Sequence, residues 1–229
     1  MAAVSVPLIT IDGPSGGGKG TIARRVADQL GWHLLDSGAL YRLVAHAGLT
    51  RGVEGMDEAG FARVALDLDV RFGADLHGEE QIWLEGQEVS RFIRTEQAGE
   101  GASRVAAMPS VRAALMERQQ AFARQPGLVA DGRDMGTVVF PAAGLKIFLT
   151  ASADERARRR YKQLKDKGLS ANLAALSLEI AARDRRDASR PIAPLKPADD
   201  AIIVDSTSMS IDAVVERVLE LAAERFQAS

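Results

Sequence analysis

The chain has 229 residues, 46% hydrophobic and 26% charged, with a formal net charge of -2 and no cysteine. That length suits one generous domain or one core carrying an inserted subdomain, and the balance is ordinary for a globular chain. Disulfides and thiolate metal sites are excluded. The charge gives no reason to expect a nucleic-acid or membrane partner. Neither a basic n-region nor a run of roughly 18 apolar residues appears, so no secretory signal or membrane span is expected and a cytoplasmic enzyme is the simplest class.

The first expected strand is Pro7 to Ile11, followed by a helix carrying Ile22, Val26 and Leu30 at helical spacing. Between them runs Gly13-Pro14-Ser15-Gly16-Gly17-Gly18-Lys19-Gly20-Thr21. A glycine-rich turn between a strand and a helix lets backbone amides converge on an anion, and the helix adds the positive end of its dipole. Lys19 supplies a charge that can reach the β- and γ-phosphates of a nucleotide. The strict phosphate-loop pattern has Ser or Thr directly after the lysine. Here Gly20 intervenes, so the hydroxyl is displaced to Thr21.

A second strand is expected at Trp32 to Leu35, leading into Asp36-Ser37-Gly38-Ala39-Leu40-Tyr41-Arg42. Ser37 is a candidate cap for the helix that follows, with Arg42 in its second turn. The middle of the chain breaks the strand-helix alternation. A helix is expected near Met56 to Ala65, then an antiparallel segment from Leu66 to about Val89, because Asp69 to Phe72 and Glu80 to Leu84 alternate with period two. Another helix ends near Met108, and one opened by Pro109 carries Leu115, Met116, Gln119 and Phe122.

Strands are then expected at Gly127 to Ala130, Leu145 to Leu149 and Ala201 to Val204. The first leads into Asp131-Gly132-Arg133-Asp134-Met135-Gly136-Thr137, at a strand's carboxyl end where open α/β sheets bind ligands. Ser152 with Glu155 reads as a capping box. Arg156, Arg159 and Arg160 share one face of the helix it opens. That face is read as a mobile lid over ATP phosphates, or as a plain exposed helix. Arg183, Asp187 and Arg190, spaced four and three, are expected on one face of another helix, either as a surface salt bridge or as a clamp for phosphate and sugar hydroxyls. Pro191 to Asp200 reads as a surface loop. Ser210 caps a last helix striped with Ile211, Val214, Val215, Val218, Leu219 and Ala222.

Taken in order, GPSGGGKGT, DSGALYR, ADGRDMGTVVFP and RDRRDASRPIAPL resemble the bacterial cytidylate kinases nearly end to end. The resemblance implies an α/β phosphate-loop kinase core with a five-stranded parallel sheet. It also implies an antiparallel acceptor-binding insertion at about residues 64–104 and a helical lid at about 154–190. It implies transfer of the γ-phosphoryl group of ATP to CMP or dCMP by a monomer. Magnesium would come with ATP, held mainly by phosphates and water, with Thr21 the candidate protein ligand.

By the same resemblance, Gly13 to Thr21 hold ATP, with Arg156 and Arg159 as lid residues. Ser103, Arg112 and Asp134 read cytosine. Arg42, Arg133 and Arg190 hold the acceptor phosphate, and Arg183 and Asp187 lie near the ribose. Ser37, Tyr41, Asp131 and Gly132 complete the CMP-binding set. Lys19, Arg133, Arg183, Arg190 and Arg159 form the catalytic set. The rival readings are a kinase for UMP, AMP or shikimate, a slow nucleotide switch, and an RNA-binding protein using the arginine run.

Overall fold

The computed structural model describes residues 6–55, 57–74, 80–166 and 170–226. Two compact units emerge, Met1–Asp36 with Gln119–Ser229 and, separately, Ser37–Arg118.

The first unit is built on a five-stranded parallel sheet. Its strands are β1 (Leu8–Asp12), β2 (His33–Asp36), β6 (Leu128–Gly132), β7 (Leu145–Thr150) and β8 (Ile202–Asp205), in the spatial order β2-β6-β1-β7-β8. This is the sheet expected from the sequence, with each strand beginning at or one residue after its expected start. All five residues of β1 and of β6 are buried, as befits strands covered on both faces. Helices α1 (Lys19–Leu30) and α9 (Ile211–Phe226) contribute Ile22, Val26, Val214, Val218 and Leu221 to one core with Ile9, Ile11, Val129 and Ile147. Ser210 caps α9 as expected, its hydroxyl accepting from Ala213 N at 3.1 Å. Parallel register aligns Asp36 with Asp131, and Asp12 with Gly132 one residue further on, so three neighbouring strands carry carboxylates within one residue of the same level at their carboxyl ends.

The unit also holds α7 (Ala153–Asp166) and α8 (Leu173–Ala188), which pack on each other. Only half of the expected capping box forms. Glu155 N donates to Ser152 Oγ at 3.3 Å, but the Glu155 carboxylate pairs with Arg159. Arg190 lies beyond α8 rather than on its face. Pro191 follows it, and a residue before proline is driven out of the helical region.

In the second unit, α2 (Ser37–Thr50) packs on α3 (Glu58–Leu66) and α5 (Glu96–Val105). Ser37 is the first helical residue of α2 rather than a cap ahead of it. The expected start of α3 at Met56 lies outside the described residues. The helix is capped by Asp57, whose carboxylate accepts from Gly60 N at 3.0 Å. Strands β3 (Val70–Ala74), β4 (Glu80–Leu84) and β5 (Gln87–Glu88) form the antiparallel sheet. Leu66, expected to open it, instead ends α3 and is 63% exposed; a lone apolar residue at a helix end mimics a strand start. Helices α4 (Ser90–Ile93) and α6 (Pro109–Gln120) complete the unit. Phe122 falls outside α6, because the chain tightens into i→i+3 turns at Gln119 and Gln120 on its way to β6.

Candidate active site

The loop from Gly13 to Gly18 leaves β1 and enters α1, the arrangement the sequence predicts for a phosphate loop. Gly13 has φ +149°, and a Cβ there would stand 2.0 Å from Leu149 O, so no side chain fits. Two side chains brace the loop. Lys19 Nζ donates to Pro14 O at 2.9 Å, and Arg156 Nη1 donates to Ser15 O at 3.0 Å.

Lys19 is buried, and this pushes its ammonium down to about 7. Arg133 and Arg183 push the same way, while Asp131 and Asp12 oppose them. A buried ammonium with two half-buried guanidinium groups acting on it electrostatically is an arrangement that favours an incoming anion. Asp131 ends up against α1: a Cβ on Gly20 would lie 3.3 Å from its Oδ2. A residue with a side chain at position 20, as in the strict motif, would sit in tight contact with this carboxylate. Burial raises Asp131 to about 7, with Asp36 adding to the rise and Lys19 opposing it.

Beyond β6 the chain makes a single π-helical turn, Met135–Val139, closed by Phe140 N donating to Met135 O at 2.7 Å. Such turns are frequent at functional sites. Arg133 leaves the loop before this turn. Its Nε donates to Asp187 Oδ2 at 3.1 Å and its Nη1 to Gly132 O at 3.2 Å. Asp187 also accepts from Arg190 Nη2. Burial alone would raise Asp187, but Arg133, Arg190 and Arg183 together hold it below the ordinary carboxylate range. The three residues expected on one helical face thus meet around Asp187, although Arg190 reaches it from beyond the helix.

The three arginines of α7 expected on one face diverge. Arg156 is buried. It donates to Ala151 O and Ser15 O and pairs with Asp184 at 2.7 Å, joining α7, the phosphate loop and α8. Arg159 is held on Ser206, whose hydroxyl accepts from its Nη1 at 3.1 Å. Arg160 donates outward to Gln163. Thr21 is exposed in the first turn of α1.

In the second unit, Arg42 Nη1 donates to Ile93 O at 2.9 Å, while its Nε is buried without a hydrogen-bond partner. Arg112 lies over the Tyr41 ring, 6.0 Å from its centroid, and its Nη1 donates to Tyr41 Oη and Ala106 O at 3.4 Å. Ser37 and Ser103 are buried. Sequence reasoning missed Asp12, Asp36, Asp184 and Ser206. The first two could have been found from their place at the carboxyl ends of expected strands.

A family model described as cytidylate kinase matches residues 9–224. The chain belongs to the cytidylate kinase family. Family membership extends across both units. It is 62% identical over 217 residues to a cytidylate kinase of Pseudomonas paraeruginosa (strain DSM 24068 / PA7), covering 94% of each chain. It is 60% identical over 222 residues to one of Stutzerimonas stutzeri (strain A1501), covering 96% of each. Against one of Aeromonas hydrophila subsp. hydrophila the figure is 58% over 219 residues, with 96% of this chain and 95% of the relative covered. Among the described residues no helix is long and apolar enough to cross a membrane, and no group of three or more His, Cys, Asp or Glu could by itself hold a metal ion.

Proposed function

We propose that the protein transfers the γ-phosphoryl group of ATP to CMP or dCMP, releasing ADP and CDP or dCDP. The observation that carries this reading is the buried Lys19 at the head of α1, acted on by half-buried Arg133 and Arg183, in a cytidylate kinase family chain. Such an arrangement favours a polyanion.

The attacking group is an oxygen of the CMP phosphate, whose second pKa is about 6, so it is ionised near neutrality and needs no general base. That oxygen forms a bond to the γ-phosphorus as the bridging oxygen departs with ADP. Catalysis is then positioning and charge stabilisation. The loop from Gly13 to Thr21 holds the ATP phosphates, and Lys19 follows the charge as it moves to the leaving oxygen. Arg133, Arg190 and Arg42 hold the acceptor phosphate. Arg183 and Asp187 serve the ribose, and Asp187 also keeps two of the arginines in place. The buried, unsatisfied Nε of Arg42 suits an anion.

Ser103, Arg112 and Asp134 read cytosine, with Ser37, Tyr41, Asp131 and Gly132 completing the CMP-binding set. Arg156 ties the phosphate loop to α7 and α8. Arg159 joins the ATP side, and reaching phosphate would require it to leave Ser206. Residues at about 64–104 act as the acceptor subdomain and about 154–190 as the lid that excludes water.

Magnesium would come with ATP, held mainly by phosphates and water, and the exposed hydroxyl residue Thr21 in the first turn of α1 is the candidate protein ligand. When bound, the ion would offset charge on the β- and γ-phosphates. The enzyme is read as a cytoplasmic monomer that takes small substrates and no nucleic acid.

The test is a coupled ADP-release assay with CMP, dCMP, UMP, AMP and shikimate offered in turn. Rapid turnover is expected with CMP and dCMP. Faster turnover with any other acceptor, or strong hydrolysis with none, overturns the reading.

A further inference from the structure

Asp12 is the last residue of β1, is buried, and has no part in the chemistry above. Both of its carboxylate oxygens are taken up by main chain far away in sequence. Oδ1 accepts from Met135 N and Oδ2 from Gly136 N, each at 2.8 Å. These amides open the π-helical turn directly after Arg133 and Asp134. Asp134, at the cap position of that turn, makes no side-chain cap hydrogen bond. A carboxylate from the neighbouring strand therefore does what a local cap ordinarily does.

The fit is close on both sides of the contact. Asp12 is followed at once by Gly13, the first residue of the phosphate loop, which no Cβ could replace. A Cβ on Gly136 would meet Thr10 Oγ1 at 2.8 Å, so Gly136 lies directly on β1. Burying a carboxylate is unfavourable unless strong donors meet it, and two backbone amides do so here. The charged groups that act on it are Asp134 and Lys19.

We propose that Asp12 is a positioning residue that holds the Arg133–Asp134 loop in register with the root of the phosphate loop, and so sets the acceptor nucleotide in line with the donor. This rests on the reading of Arg133 and Asp134 as acceptor-binding residues. The phosphate loop keeps its own braces, from Lys19 to Pro14 and from Arg156 to Ser15. Loosening Asp12 should therefore weaken the acceptor side selectively.

The experiment is steady-state kinetics of Asp12→Asn and Gly136→Ala with ATP and CMP varied independently. Asn offers one acceptor where two amides need one each. The alanine methyl lifts the loop off Thr10 while leaving the charge in place. In both variants KM for CMP should rise by about tenfold or more while KM for ATP moves by no more than about twofold, the kind of loss small misplacements cause. A proportional rise in both constants, no change in either, or failure of both variants to fold overturns the proposal. If the unsubstituted enzyme ignores CMP but uses another acceptor, the proposed function fails. The same split is then measured with that acceptor, so Asp12 is judged separately.

Discussion

Arg133 Nε donates to Asp187 Oδ2 at 3.1 Å, and the carboxylate that receives it is only 1% exposed. The same carboxylate takes Arg190. Two guanidinium groups expected at the acceptor phosphate are thus held by one buried anion. Preorganisation of this kind lowers the cost of ordering long side chains on binding.

Replacing Asp187 with Ala should therefore do double damage. Removing one partner of a buried ion pair typically costs about 3–5 kcal/mol, because it strands the charges left behind. Urea unfolding should show a loss of that order, and KM for CMP should rise because Arg133 and Arg190 are no longer held. Stability within about 0.5 kcal/mol of the unsubstituted protein would mean that the node contributes little.

Lys19→Ala should separate activity from stability. Burial, Arg133 and Arg183 push the lysine down to about 7, so its charge is disfavoured in the folded protein. Removing it should leave the thermal midpoint unchanged or raise it. Phosphoryl transfer should fall by about a hundredfold or more, the usual loss when one charge-stabilising donor is removed. A fully active Lys19→Ala enzyme would remove the loop from the mechanism.

Asp134→Ala tests base reading. Cytosine presents an amino donor where uracil presents an oxygen, so a carboxylate accepts from the first and repels the second. A mismatched buried group costs about 1–3 kcal/mol, or roughly ten- to a hundredfold in preference. The variant should lose CMP turnover far more than ATP affinity, and its CMP-over-UMP ratio should collapse toward one. An unchanged ratio would place selection elsewhere.

Asp12 should leave a mark on the pH dependence of stability. Burial lifts its carboxyl from 3.8 to about 6, while the amides of Gly136 and Met135 pull it back; Asp134 adds to the rise and Lys19 opposes it. Between those values the folded state holds more protons than the unfolded chain, so this group's contribution to stability is lost as pH rises from 4 to 6. At about 1.4 kcal/mol per unit, Asp12→Asn should gain on the parent by about 2 kcal/mol between pH 4 and 7. Urea unfolding of both proteins across that range measures the gain, and a constant difference would exclude Asp12 as its source.

Much of the sheet was legible along the chain. Short β-branched and aliphatic runs bounded by glycine, proline and charge marked all five parallel strands to within a residue or two. The phosphate loop was legible for the same reason: its chemistry lies in nine consecutive residues. Helix periodicity alone was less informative. It put Arg156, Arg159 and Arg160 on one face, yet one turns inward to Ser15, one is held on Ser206 and one points to Gln163. It also put Arg190 on α8, which Pro191 forbids.

Strand identity, the glycine turn and the order of motifs follow from contacts within a few residues, so reading along the chain recovers them. Partners do not. Asp12 lies 123 residues from the amide of Met135, and Arg133 lies 54 from Asp187. No period or motif links such positions. They meet because parallel strands bring their carboxyl ends level and because a buried charge must find whatever donor the packing delivers.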